Sequence, residues 1–418
     1  MQSHNDGWSR RSFLSGATAG AATFTIVRPE QVRGAAPAKL KAGLIGVGGR
    51  GTGAVENLLT GNPNVEVVAM ADIFEDHLER NLARLKQRKF ADRITVDAEH
   101  RFVGFDAYQK LVASDIDIVM LCTPPGYRPE HFEAAINAGK HVFCEKPIAT
   151  DPVGVRRFMA AVKKAEEKKL TVVAGAQRRA ATEYLETVRK IQEGAIGDIV
   201  ALYATYLSGP VMHAKAREPK WGDMEWQHRN WYSFLWICGD QIVEQHFHNI
   251  DFMNWVMGAH PVKVVASGGV AWRPHQELYG NIFDHMSSDF VYPNGVHLSS
   301  HCRQYPQGLY RRVDDLIVGA KGRSTGTDLG TKGIDSQVQE HINMVQSILG
   351  AGPYLNHGMA VAESTLTCIM ARESAYSGLE ITWEMIMKSQ QDLQPKAFSY
   401  DQKMEMPPLP APGQYKFV

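Results

Sequence analysis

Leu40-Lys-Ala-Gly-Leu-Ile-Gly-Val-Gly-Gly-Arg-Gly51 begins as a short apolar strand and runs into glycines. Gly46, Gly48 and Gly51 fit the pattern GxGxxG, and a helical pattern follows from Gly53 to Leu59. The first glycine permits a tight turn, the second lets backbone approach a pyrophosphate, and the third lets helix and strand pack closely. Unpaired N–H groups at the start of such a helix suit phosphates. A lone GxGxxG is weak, but one set between a strand and a helix has the context that gives it meaning.

A second apolar run, Val65 to Asp72, ends on an acid 21 residues beyond Gly51. That spacing places a carboxylate at the ribose of a bound dinucleotide. A carboxylate there accepts from a 2′-hydroxyl and repels a 2′-phosphate, so NAD is expected rather than NADP. Arg50 is the complication, since an arginine near this turn can accommodate a 2′-phosphate. Its place in the glycine turn suggests the pyrophosphate instead. Further strands are expected at Asp115–Cys122, before Thr123-Pro124-Pro125, and at His141–Cys144 and Leu170–Ala176, with helices between them. This alternation predicts a parallel, doubly wound Rossmann sheet over 39–176.

The chain has 418 residues, with 45 Lys+Arg balancing 45 Asp+Glu. That balance argues against a nucleic-acid binder, which carries a basic footprint. The sequence has no apolar stretch long enough for an ordinary membrane span. Residues 1–38 read as a twin-arginine export signal: Ser9-Arg10-Arg11-Ser12-Phe13-Leu14, a mildly apolar run to Val27, and small residues at Gly34–Ala38. A periplasmic protein, exported folded by the twin-arginine machinery with its cofactor, is expected. The five cysteines form no CxxC pair and sit in apolar or aromatic settings, so they read as buried thiols.

At Cys144-Glu145-Lys146-Pro147 an apolar run delivers a charged pair, and proline ends the strand. Ligands of open α/β sheets bind at the carboxyl ends of strands. The glycine turn, Thr123-Pro124-Pro125, Ala138-Gly139-Lys140-His141-Val142 and Glu145-Lys146-Pro147 together resemble the glucose–fructose oxidoreductase/inositol dehydrogenase family (Gfo/Idh/MocA), over nearly all of the mature chain. The resemblance implies that Lys146 lies beside the nicotinamide and the substrate hydroxyl. It also implies cofactor-side roles for Glu145 and Thr123.

Residues 177–418 read as an α+β substrate and oligomerisation domain. Strands are expected at Ile199–Leu207, Val262–Ala271, Ser287–Tyr292, Val296–Gln304 and Asp314–Gly319, forming a mostly antiparallel sheet. Tyr292-Pro-Asn-Gly295 signals a hairpin. Helices are expected at Gln337–Leu349 and Gly358–Ser377. In the family such a sheet supplies substrate walls and subunit contacts, which implies a homo-oligomer. Gln177-Arg178-Arg179 starts the crossover, with Arg179 a substrate-side candidate.

An aromatic insert, Lys220–Trp236, holds Trp221, Trp226, Trp231 and Trp236, and its spacing of five predicts an irregular loop. Trp231 and Tyr232 are candidates to meet a sugar, the alternative being that these rings pack the insert or a subunit interface. In Gly239–Gly258, Glu244 and His248 are four apart and would share a helix face. The family's usual motif here is an aspartate, three residues, a histidine and an Ile-Asp pair. His248 and Ile250-Asp251 match it, and Glu244 stands in the aspartate's place. His246 is a further substrate-side candidate. Glu244-x-His246-x-His248 lacks the spacing of a helical metal motif, and no metal is expected.

The resulting expectation is an NAD-dependent dehydrogenase that oxidises a secondary ring hydroxyl, at C3, of a pyranose or glycoside. His248 would be the base, Glu244 its orienting partner, and Lys146 the donor to the substrate oxygen. Two alternatives stand beside it. One is an NAD-dependent glycosidase working by transient C3 oxidation and elimination; the other is a non-catalytic NAD- or sugar-binding protein.

Overall fold

The computed structural model describes residues 39–418, except 212–214, 274–275 and the side chains of 276–277. The arginine pair at Arg10-Arg11 lies outside the described residues.

Six strands form the first sheet: β1 (Leu40–Ile45), β2 (Val65–Asp72), β3 (Arg101–Val103), β4 (Ile118–Leu121), β5 (His141–Cys144) and β6 (Val172–Ala174). All neighbours are parallel, in the order β3-β2-β1-β4-β5-β6. Every residue of β4 and β6 is buried. Strands covered on both faces read as unbroken apolar runs, which is why they stand out in the sequence. The order reverses between β1 and β4, so the crevice of the sheet opens at the ends of these two strands. β1 ends in the glycine turn, and β4 ends at Thr123.

The second sheet contains β7 (Ile199–Ser208), β8 (Lys263–Gly269), β9 (His285–Val291), β10 (His297–Gln304), β11 (Arg312–Gly319), β12 (Gly322–Ser324) and β13 (Ile381–Thr382), in the order β12-β11-β7-β10-β9-β8-β13. It is mostly antiparallel, with one parallel pair, β7–β10. The predicted hairpin joins β9 and β10, and Gly295 takes φ +82° in its turn.

Two helices from the C-terminal part tie back to the first sheet. Ser336–Ile348 places Met344 and Val345 in one apolar cluster with Leu44, Leu58 and Met120. Gly358–Ser377 is buried along nearly all of its length, which leaves it no amphipathic stripe.

Two expectations change. The segment Gly239–Gly258 is not one helix. Gln241–Glu244 is a single turn, and Phe247–Met257 is a separate helix capped by Gly258 at φ +62°. The aromatic insert is not irregular. It folds as Asp223–Arg229, a 3₁₀ turn at Trp231–Ser233, and Leu235–Cys238. Trp221, Trp226, Phe234 and Ile237 form its own small core, with Trp231 and Trp236 packed on it.

Candidate active site

The site begins at the glycine turn. Gly46 takes φ +89°, and a Cβ there would lie 2.7 Å from the Thr123 nitrogen. A Cβ on Gly51 would lie 2.0 Å from the Gly46 carbonyl, whereas Gly48 and Gly49 face open space. The helix Gly49–Gly61 has no side-chain cap, so its first N–H groups remain open to an anion. Asp72 accepts from Val47 N–H at 2.8 Å and Phe74 N–H at 2.9 Å. Each oxygen keeps a further lone pair for a ribose hydroxyl. Burial raises the Asp72 pKa, and those two backbone N–H groups oppose the rise. The Thr123 hydroxyl is buried and has no partner among the described residues. Open glycines, a free helix start, an acid at the end of β2 and an orphaned hydroxyl at the end of β4 together fit a dinucleotide.

Arg50 turns away from Asp72. Its Nε meets Glu145 Oε1 at 2.5 Å, and its Nη2 lies 3.8 Å from Glu340 Oε1. It therefore bridges the glycine turn and the end of β5, and not the 2′ position. Glu145 is confined further: a Cβ on Gly175 would stand 2.6 Å from Glu145 Oε2. Glu340 is 1% exposed, neither oxygen has a hydrogen-bond partner among the described residues, and burial together with the Glu145 charge holds its pKa well above the ordinary range.

Lys146 follows at the strand end, before a cis Pro147. Its Nζ donates to the Glu244 main-chain oxygen at 2.5 Å and lies 3.4 Å from Glu244 Oε2. Residues 98 positions apart thus meet at the carboxyl edge of the first sheet. The structure does not form the expected Glu244–His248 hydrogen bond. The break at Gln245-His246 separates the two residues, and Glu244 faces Lys146. Burial raises the Glu244 pKa, partly offset by Lys146 and Arg128. The partly exposed His248 ring contacts Phe247 and has no hydrogen-bond partner among the described residues. Burial, with the Lys146, Arg178 and Arg50 charges, holds its pKa well below the ordinary value, so the imidazole is neutral near pH 7.

The remaining candidates separate. His246 is fully buried, and its Nε2 meets the Ser300 hydroxyl at 2.7 Å, on the inner side of the second sheet. Arg179 makes a paired contact with Asp251 at 2.7 and 2.9 Å. Trp231 is half-buried and edge-on to Tyr232, whose hydroxyl accepts from Gln304 at 2.7 Å. Sequence reading missed Gly175, Glu340 and Arg372. The last donates to the carbonyls of Thr150 at 2.5 Å and Gly239 at 3.0 Å, holding the end of the Lys146 segment against the start of the Glu244 segment. Only the three-dimensional contacts distinguish these residues. The five cysteines are all free thiols, four of them buried.

A doubly wound sheet with a dinucleotide turn, and a helical turn of the second part, Gln241–Glu244, that brings a carboxylate to a strand-end lysine, define a two-part nicotinamide oxidoreductase. The chain belongs to the GFO/IDH/MocA family. Residues 40–176 match its "Oxidoreductase family, NAD-binding Rossmann fold", and residues 184–325 match its C-terminal domain. NAD is the cofactor. The chain is 24% identical to the uncharacterized oxidoreductase YrbE of Bacillus subtilis, over 68% of this chain and 72% of that protein. It is 26% identical to an inositol 2-dehydrogenase of Rhizobium meliloti, over 55% of this chain and 59% of that enzyme. Among solved structures, scyllo-inositol dehydrogenase from Lactobacillus casei with bound NAD(H) and scyllo-inositol shares the fold at TM-score 0.62 and 18% identity, covering 82% of this chain and 99% of that one.

Proposed function

We propose that this NAD-dependent dehydrogenase oxidises a secondary ring hydroxyl, at C3, of a pyranose or glycoside. The observation that carries the reading is the contact of Lys146 with Glu244 at the carboxyl edge of the first sheet, with a partly exposed, neutral His248 in the field of Lys146. Relatives named as inositol dehydrogenases act on ring polyols, which agrees with a ring hydroxyl as the reacting group.

NAD, when bound, supplies the hydride acceptor; the chain's residues do the rest. His248 accepts the hydroxyl proton at a ring nitrogen. Lys146 has three donors. Two are directed at Glu244, and the third is available to the substrate oxygen as charge grows on it. Glu244 fixes the ammonium through its main chain and balances its charge. Arg50, Glu145 and Gly175 hold the strand end in register with the glycine turn.

The glycosidase alternative uses the same first step, so one assay addresses both. Purified protein is offered a panel of α- and β-glycosides, and 3-keto sugar, reduced cofactor and released aglycone are followed together. Keto product with matching NADH supports the dehydrogenase. Aglycone release without net NADH supports the glycosidase, and no turnover on any glycoside refutes both. We further propose export by the twin-arginine route to the periplasm. Replacing Arg10 and Arg11 by lysine should leave folded protein in the cytoplasm, and unchanged delivery would refute it.

A further inference from the structure

Two arginines stand among the largest fully buried side chains, Arg273 and Arg372, and they differ in what meets them. Arg372 is satisfied on all sides: Glu373 pairs with it at 2.8 Å, and the carbonyls of Thr150 and Gly239 and the Gln391 amide accept its other protons. Arg273 makes one hydrogen bond, from Nη2 to Gln304 Oε1 at 2.8 Å. Its Nε and Nη1 are buried with no partner among the described residues. A guanidinium does not shed its proton in a protein, so it requires a counter-charge where water is excluded. Burial lowers the Arg273 pKa, opposed by Tyr232, Asp284, Asp240 and Cys238.

The residue is held in place with care. The Asp284 carboxylate accepts from the N–H groups of Ala271 and Trp272 at 2.9 and 3.0 Å. The Trp272 indole donates to the Gln304 carbonyl at 2.7 Å, and the Arg273 guanidinium lies 5.1 Å from the Trp272 ring centre. Gln304 is fully buried; its amide oxygen accepts from Arg273 and its amide nitrogen donates to the Tyr232 hydroxyl. Because that hydroxyl oxygen already accepts, its own proton is free to donate. Tyr232 in turn lies in the field of Glu244, the residue paired with Lys146. Two nitrogens of Arg273 and the hydroxyl of Tyr232 thus keep donors with no acceptor among the described residues.

We infer that Arg273 and Tyr232, set by Gln304, form a carboxylate subsite, and that the substrate is an acidic, uronate-type pyranose. The inference rests on the ring-hydroxyl reading above for its placement of the substrate. A neutral hydroxyl would satisfy a donor and leave the charge unanswered, whereas a carboxylate does both. A phosphate would set two charges against one guanidinium.

The test uses the NAD-loaded full-length protein and paired probes: methyl glucuronosides and galacturonosides, with the corresponding neutral methyl glycosides, in both anomers. Binding is measured by calorimetry, and turnover is measured separately. At least one uronoside should bind about 10²-fold tighter than its neutral twin. Arg273→Gln should bring that ratio close to one, Arg273→Lys should keep part of it, and Tyr232→Phe should lower it several-fold. Retained NAD and an unchanged melting temperature identify folded variants; if Arg273→Gln fails this check, the lysine and phenylalanine variants decide. Equal binding of twins, binding of neither, or a preference that survives these changes overturns the subsite. Arg273-dependent uronoside binding without turnover would uphold the subsite and refute the reaction. Turnover of neutral glycosides without any preference would do the reverse.

Discussion

In the proposed reaction Lys146 and His248 act on the same hydroxyl from different parts of the chain, and they bear on different atoms of it. Lys146→Ala removes a donor to an oxygen whose charge grows toward the transition state. The loss should fall on kcat, by about 10²-fold or more. His248→Ala removes the base, typically a loss of about 10²–10⁴-fold. The double variant should lose much less than the product of the two, and NAD should stay bound in all three. Losses that multiply would separate the two residues into different steps. The depressed pKa of His248 gives a second expectation, since only the neutral ring accepts a proton. Acid protonates it only well below the ordinary value of 6.5, so kcat/KM should hold as pH falls through 6.5 and decline below it. An acid limb at or above 6.5 would assign the base elsewhere. Gly175→Ala tests the support beneath. Its Cβ would press on the Glu145 carboxylate and, through it, on Arg50, so activity should fall at least about 10-fold while the fold survives. Normal turnover in this variant would show that Glu145 need not be held there.

The loop after β2 is where distant elements converge on the cofactor end. The Tyr400 hydroxyl donates to the Ile73 carbonyl, next to Asp72. Arg229, from the insert, reaches Asp76 and lies 4.1 Å from the Phe74 ring centre. A Cβ on Gly222 would stand 2.3 Å from the Tyr400 carbonyl, so insert and tail are fitted closely to one another. Freeing this loop should speed NAD release. Tyr400→Phe with Arg229→Gln removes a hydrogen bond and a cation over a ring, together about 1–2 kcal/mol, or roughly 5–30-fold in the dissociation rate. A chase with labelled NAD measures it, and an unchanged rate would show that the clasp is irrelevant to retention. None of this was legible in the sequence, because partners such as Arg229 and Asp76, 153 positions apart, or Tyr400 and Ile73, 327 apart, leave no local pattern. The first sheet was legible, because strands buried on both faces announce themselves and the Gly51–Asp72 spacing is short-range. The break at Gln245-His246 was hidden for the opposite reason: the segment is apolar or buried on every side, so periodicity could not separate one helix from two. Lys146 was legible by resemblance, whereas its pairing with Glu244, and not Glu244 with His248, required the contacts themselves.

At the scale of the whole molecule the buried histidines each contribute a loss of stability in acid. Burial drives the pKa of His131, His246 and His341 down to about 3 and that of His228 and His357 to about 4, and His248 is lowered as well. Each is neutral when folded, yet takes a proton below 6.5 when unfolded. The unfolded chain therefore binds more protons as pH falls from 6.5 toward 4, and stability is lost over that window. Buried acids with raised pKa, among them Glu244, Asp240 and Glu340, act with the opposite sign, since the folded state binds their protons first. Among the described residues seven acids are so shifted, Asp72, Asp151, Asp240, Glu244, Asp315, Glu340 and Glu363, so the two sets oppose one another and the histidine share is read from single variants. The cleanest single test is His341. It is fully buried against the Phe143 ring, at 4.3 Å between centres, and neither nitrogen has a partner. An unbonded polar ring gives the fold little that an apolar one would not. His341→Leu should therefore cost little at pH 7, remove one histidine from the linkage, and gain up to ~1.4 kcal/mol on the parent for each pH unit below 6.5. Denaturant unfolding at pH 7.0 and 5.0 compares the two proteins directly. Identical losses of stability in parent and variant between those pH values would show that His341 is protonated in the folded state, in spite of its surroundings.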